Sequence, residues 1–171
     1  MSVSLYHASV PVFRQMLGAL SSIMDKAAAH AEARKIDPSV FVNGRLFPDM
    51  FPFTRQVTIA ADFAKGASAR LAGIEVPKFE DTETTFPELK ARIRKTLDFL
   101  ATLKPAQFEG AEARDVTIPL RGEPTTFKGG AYLFHFAMPN FYFHATTAYD
   151  ILRHLGVEIG KSDFIHQLIK E

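Results

Sequence analysis

Three residues in predicted helices have side chains that can hold a ligand or accept a hydrogen bond: Gln56, Asn140 and His144. Asn140 and His144 are four residues apart, so on a helix they share one face. Gln56 and His144 each begin an apolar stripe of helical spacing, which predicts that both point into a core. Buried amide and imidazole groups need partners, because an unpaired one costs about 1–3 kcal/mol. The three side chains therefore either bond one another across the core or line a polar pocket that holds a ligand, water or ion.

Composition and motifs exclude several other kinds of chemistry. The chain has no Cys, so thiol nucleophiles, disulfides and cysteine-bound metals are absent. Dinucleotide-binding and phosphate-binding loops, the nucleophile elbow Gly-x-Ser-x-Gly and the zinc motif His-Glu-x-x-His do not occur. With 20 basic and 19 acidic residues the net charge is +1, which gives no electrostatic basis for binding nucleic acid. We expect the short basic cluster of Lys90, Arg92, Arg94 and Lys95 to be a solvated helix face.

Four segments have the periodicity of amphipathic helices, at about 5–33, 52–72, 86–104 and 131–155. Gly73 is a typical stop signal for the second, and Thr85-Phe86-Pro87-Glu88 is a capping box that opens the third. Residues 115–127 alternate weakly and predict either a short β-hairpin around Gly122 or an extended excursion. The tail from residue 161 to 171 could add one short helix. These elements predict an all-α four-helix bundle with a hairpin before the last helix, in a single domain over residues 1–171.

The connection from residue 37 to 51 is long for a bundle loop. Its large apolar residues are Phe41, Leu46, Phe47, Met50 and Phe51. We expect it to pack over one end of the bundle. The first residues of the chain lack the basic and apolar regions of a signal peptide, and no apolar run is long enough to span a membrane. We therefore expect a cytoplasmic protein with no membrane partner.

The fourth helix is apolar on every side. Its aromatic residues are Phe134, Phe136, Phe141, Tyr142, Phe143 and Tyr149. The fourth helix therefore has more apolar surface than one bundle core can bury. We expect a homodimer in which the first and fourth helices meet. Pro139 predicts a kink, because it removes the hydrogen bond to the carbonyl of His135. The hydroxyl of Tyr142 is a further candidate ligand-binding group, outside the cluster of Gln56, Asn140 and His144.

The most distinctive sequence lies in the fourth helix and just after it, from His135 to Val157 and from Gly160 to Phe164. Together with segments 48–52, 56–57 and 70–73, it resembles the DUF1993 family of bacterial proteins of unknown function over essentially the whole chain. That family is similar to the wider DinB/YfiT-like superfamily. The resemblance implies a four-helix bundle with a metal-binding cleft, often as a homodimer. The superfamily includes thiol-dependent transferases and isomerases that use a divalent metal.

Metal sites of that superfamily typically take one His from the second helix and a His-x-x-x-His pair from the last. The resemblance places Gln56, Asn140 and His144 at those positions, so His144 is the one imidazole left to bind a metal such as Zn²⁺ or Ni²⁺. Amide oxygens are poor ligands for these ions. Our leading hypothesis is a bundle that binds a small ligand and has lost an ancestral metal site. The alternatives are a transferase or isomerase with His144 as metal ligand or general base, and a structural or regulatory homodimer.

Overall fold

The computed structural model describes residues 4–165 of the 171-residue chain. Four long helical segments form a bundle, and a two-stranded hairpin precedes the last of them, as predicted. The helices are α1 (Leu5–Arg34), α2 (Ser39–Val42), α3 (Phe53–Ala72), α4 (Phe86–Thr102), α5 (Gly129–Tyr132), α6 (Met138–His154) and α7 (Lys161–Ile165). A 3₁₀ turn covers Pro105–Phe108 and a π-helical turn covers Leu133–Ala137. The strands are β1 (Asp115–Leu120) and β2 (Glu123–Lys128).

Helix α3 is the central element of the bundle, since it packs on α1, α4 and α6. Small residues make this possible: Ala60, Ala64 and Ala67 are fully buried and let neighbouring helices approach closely. Gly73 ends the helix in the left-handed conformation, with φ of 70°. Among residues 4–165, no helix combines the length and apolarity needed to cross a membrane.

The predicted signals at the helix ends are confirmed. The hydroxyl of Thr85 accepts from the backbone N–H of Glu88, and the Glu88 carboxylate accepts from the backbone N–H of Thr85, which completes the capping box of α4. Helix α1 begins at Leu5 and continues through Pro11, so the proline lies inside the helix. The tail helix is α7, and the rest of that predicted segment lies outside the described residues.

The hairpin has the predicted position and turn. Arg121 and Gly122, with φ of 53° and 89°, connect the strands, and Pro119 lies opposite Pro124. Positive φ at both turn residues is typical of a type I′ turn, whose twist suits a two-residue hairpin. One face of β1 is buried against the bundle through alternate residues, which include Ile118.

The connection from residue 37 to 51 differs in part from the prediction. Its first half packs on the bundle: Phe41 is buried, and Gly44 lies so close to α6 that an added Cβ would be 2.6 Å from Leu155 Cδ1. The second half faces solvent, with Phe47 63% and Phe51 52% exposed. The expectation that all its large apolar residues are covered is wrong. The reason is local: the Arg45 guanidinium donates to the carbonyl of Met50, which closes the segment into a turn on the surface.

The basic cluster on α4 also differs from the prediction. The side chain of Arg92 is only 1% exposed and forms ion pairs with Asp62 at 2.8 Å, Asp81 at 3.1 Å and Glu83 at 3.1 Å. Arg94, by contrast, is exposed and pairs with Asp98 one turn along the helix. Helical spacing alone does not predict that Arg92 is buried and ion-paired, because its acidic partners come from α3 and from the connection between α3 and α4.

Where the sequence predicts a kink at Pro139, the structure has a π-helical turn that ends just before Met138. The N–H of Met138 donates to the carbonyl of Leu133, five residues back, which defines a π-helical turn just before Pro139. Proline cannot donate a backbone hydrogen bond, and π turns are one of the ways in which a helix accommodates such a break.

Candidate functional site

Gln56 and His144 meet across the interface of α3 and α6. His144 Nδ1 lies 2.7 Å from Gln56 Oε1, so the predicted convergence of these two side chains is confirmed. Gln56 is 1% exposed, in agreement with its position at the start of an apolar stripe. His144 is half-buried. The pair therefore joins a buried amide to an imidazole that reaches the surface.

The hydrogen bonds of Gln56 determine which nitrogen of His144 carries the proton. The Gln56 Nε2 amide donates to the carbonyl of Phe51 at 3.1 Å, which orients Oε1 towards the imidazole. Because Oε1 can only accept, Nδ1 of His144 must be the donor. In the neutral ring, Nε2 then carries a lone pair. It has no hydrogen-bond partner among residues 4–165.

Aromatic rings surround the imidazole. Phe63 lies parallel to it, with ring centroids 6.1 Å apart, and Phe143 meets it edge-on at 5.3 Å. Phe143 is more than half exposed, so the surface next to the imidazole is apolar as well.

Burial and charge both favour the neutral imidazole. Burial lowers the pKa of His144 from its usual value, and the positive charge of Arg55 lowers it further. Arg55 itself forms an ion pair with Asp81 at 2.5 Å. At neutral pH, His144 is therefore a hydrogen-bond acceptor with a fixed tautomer.

Asn140 and Tyr142 do not join this pair. The Asn140 Nδ2 amide donates to the carbonyl of Phe136 in its own helical segment, at 2.7 Å, and forms no hydrogen bond with Gln56 or His144 in the described chain. The partner carbonyl is four residues back, one helical turn from Asn140. Tyr142 is 38% exposed and two residues from His144, which places it on another side of the helix. The predicted three-residue cluster is therefore a pair.

The residues at the superfamily's metal positions do not fit a transition-metal site. One imidazole nitrogen of His144 is used by Gln56, and the remaining donors, Gln56 and Asn140, are amides already engaged with backbone carbonyls. In the part of the chain that the structure describes, no three His, Asp or Glu side chains are grouped to hold a metal ion. These residues therefore do not form a site for Zn²⁺ or Ni²⁺.

A cleft that the sequence did not predict lies further along the same helix interface. Gln56, Phe63 and Arg70 recur every seven residues on one face of α3, and they meet His144, Phe136 and Tyr132 respectively. The two helical segments are thus antiparallel. The cleft has a volume of about 240 Å³ and lies between Phe63 and Arg70, under the hairpin. The seven-residue spacing of Gln56, Phe63 and Arg70 is visible in the sequence. It could have predicted that Arg70 faces the same helix interface as Gln56.

Comparison with known proteins identifies the fold and the family. No curated protein matches the chain. The crystal structure of a DinB family member protein from Shewanella denitrificans is 43% identical, covers 98% of this chain and 94% of its own, and superimposes with a TM-score of 0.92. The fold is therefore that of a DinB-like helical bundle. The model of the domain of unknown function DUF1993 matches residues 5–165, and the chain belongs to that family.

Proposed function

We propose that this chain binds a small molecule at His144, with Nε2 of the neutral imidazole accepting a hydrogen bond from the ligand. The observation that carries the proposal is the bond of 2.7 Å between His144 Nδ1 and Gln56 Oε1. It fixes the tautomer that leaves Nε2 as an acceptor, and the backbone bond of Gln56 holds the amide in place.

The ligand class follows from the surroundings of Nε2. The ligand needs an O–H or N–H donor, because the imidazole presents only a lone pair. A flat apolar part would pack on Phe63 and Phe143, whose rings border the imidazole. Phenols and aromatic alcohols combine these two properties in their simplest form.

The test compares phenol with anisole, its methyl ether, by NMR of protein labelled with ¹⁵N in histidine. Phenol can donate to Nε2 and anisole cannot, although their apolar surfaces are similar. We expect phenol to shift the His144 Nε2 resonance more strongly than anisole. His144→Phe should abolish phenol binding, whereas the control His135→Phe, at an exposed position of the π turn, should not. Equal shifts from both probes, or binding that survives in His144→Phe, would contradict the proposal.

A second candidate function uses the same geometry for proton transfer. A neutral imidazole oriented by a buried partner can act as a general base, as in the transferase hypothesis. The lowered pKa of His144 keeps it unprotonated for this purpose. The test is a pH profile for any turnover of bound alcohols or phenols: activity should rise through the pKa of His144 measured by NMR. Turnover that is unchanged in His144→Phe would exclude the imidazole as the base.

A further inference from the structure

The cleft under the hairpin contains a cation, Arg70, that forms no ion pair with a carboxylate of residues 4–165. Arg70 lines it, and its one polar side-chain contact within residues 4–165 is with the hydroxyl of Tyr132, at 3.3 Å. The guanidinium lies across Gly66: a Cβ added there would be 2.6 Å from Arg70 Nη1. Because Gly66 has no side chain, the side chain of Arg70 can lie along the surface of α3 and reach the cleft.

Tyr132 provides a second donor at the same end of the cleft. It is 1% exposed, and burial raises the pKa of its hydroxyl, against the opposing effect of the nearby Arg70. The hydroxyl is therefore protonated at neutral pH. Its oxygen accepts from Arg70, and its proton has no acceptor among the described residues. Arg70 and Tyr132 thus offer adjacent N–H and O–H donors.

The one acidic residue that lines the cleft does not neutralise Arg70. Asp62 forms ion pairs with Lys65 at 2.7 Å and with the buried Arg92 at 2.8 Å. Its charge is therefore balanced by two other cations, and the cleft retains the positive charge of Arg70. The remaining lining is apolar, from residues of α3, the hairpin and the π turn: Ile59, Phe63, Ile118, Pro119 and Phe136.

We propose that this cleft binds the carboxylate of a small apolar acid. Arg70 and Tyr132 donate to the carboxylate oxygens, and the hydrocarbon part lies against Phe63 and Ile118. An arginine with a second donor beside it matches the two oxygens of a carboxylate, and charge-assisted hydrogen bonds of this kind are strong. Phe63 borders both this cleft and the imidazole of His144, but His144 itself does not line the cleft. The proposal does not depend on the function proposed for His144.

The test uses three acids as probes, benzoate, phenylacetate and hexanoate, each followed by NMR titration of the full-length chain. The matched control ligands are their amides, which keep the shape and lose the charge. We expect at least one acid to bind with a Kd below about 10 mM and its amide to bind at least about tenfold more weakly. Arg70→Met should weaken acid binding by about tenfold or more, and Arg70→Lys by less. The control Arg34→Met, at the exposed end of α1, should leave binding unchanged.

Tyr132→Phe keeps the buried ring and removes only the hydroxyl, so it tests the second donor if Arg70→Met does not fold. We expect a loss of acid affinity of about threefold to tenfold. The proposal is wrong if no acid binds at 10 mM or below, or if acids and amides bind equally. It is also wrong if acid binding survives in Arg70→Met and is lost in His144→Phe, since the acid would then lie at His144.

Discussion

Gly129 packs directly against the carbonyl oxygen of Ala111. A Cβ added at Gly129 would overlap that oxygen and also approach Leu71 Cδ2 at 3.1 Å. The N–H of Gly129 donates to the carbonyl of Arg114 at 2.8 Å, which holds the two backbone segments together. This contact holds the end of the hairpin, where the last helical segment begins, against the residues that precede β1.

Gly129→Ala should therefore lower the free energy of unfolding by about 3 kcal/mol, because the added methyl group meets backbone atoms that cannot move aside independently. Gly130→Ala is the matched control. Its Cβ would have one neighbour, Glu112 O at 3.9 Å, so the change should be neutral or stabilising by up to about 1 kcal/mol. Urea denaturation of both variants measures the difference, and equal midpoints would contradict the packing described here.

The pKa of His144 should lie below that of a free histidine, since burial and Arg55 both disfavour the charged ring. A titration followed by ¹H–¹⁵N NMR gives this pKa, and the ¹⁵N shifts show which nitrogen is protonated. We expect the proton on Nδ1. Gln56→Glu should raise the pKa, because a carboxylate in place of the amide stabilises the imidazolium. A pKa that is unchanged or lower in this variant would show that residue 56 does not face His144 in solution.

Stability should decrease as the pH falls through the titration range of His144. Its pKa is lowered in the folded state, so below about 6.5 the unfolded chain takes up a proton that the folded chain does not. The stabilisation that comes from the lowered pKa of His144 is therefore present above the unfolded-state pKa. It is lost as the pH falls to the folded-state pKa. His144→Phe should flatten this part of the stability curve, even though the variant is less stable overall by about 1–3 kcal/mol because Gln56 loses a partner. Identical slopes in denaturation midpoints against pH would refute this account.

Arg92 should be much more important for stability than its neighbour Arg94. Arg92→Met leaves Asp62, Asp81 and Glu83 together without their shared cation, and we expect a loss of about 2–3 kcal/mol. This is below the value for a fully buried pair, because two of the acids are partly exposed. Arg94→Met removes an exposed pair and should change stability by less than about 0.5 kcal/mol. Thermal and urea unfolding of both variants provide the comparison, and similar losses would contradict it.

We expect the chain to form a homodimer in solution. Phe134 and Phe143 of the last helical segment are 51% and 56% exposed, which supports the surplus of apolar surface predicted from the sequence. A stable dimer would bury about 1,200 Å² or more. Light scattering at micromolar concentration should give twice the chain mass of 19.0 kDa. A measured mass equal to that of one chain would contradict the prediction of a homodimer.

The sequence predicted those features whose causes lie within a few residues. The capping box of Thr85 and Glu88, the stop at Gly73 and the turn at Gly122 each depend on local backbone chemistry, and all three are found. Gln56 and His144 were placed together because each begins an apolar stripe, which is a property of one helix face.

The features that the sequence did not predict depend on distant partners. Arg92 is spaced like a surface residue, but its acids come from elsewhere in the chain. Asn140 has the right spacing to accompany His144, but its amide bonds the carbonyl of Phe136 one turn earlier in its own helical segment. The cleft at Arg70 requires the hairpin to close over α3, and no single stripe contains both.

The π turn has a consequence for the helical phase of the whole segment. In an ideal α-helix, the twelve residue steps from Tyr132 to His144 would advance by about 120° beyond three full turns, so only one of these two side chains could face α3. One extra residue in the wide turn reduces that offset to about 20°. Tyr132 and His144 therefore lie along one line, opposite Arg70 and Gln56. A single-residue deletion between positions 133 and 137 would therefore convert the π turn into an ordinary α-helical turn. Eleven residue steps advance by about 20° beyond three full turns, so Tyr132 and His144 should keep their common line in the shortened helix.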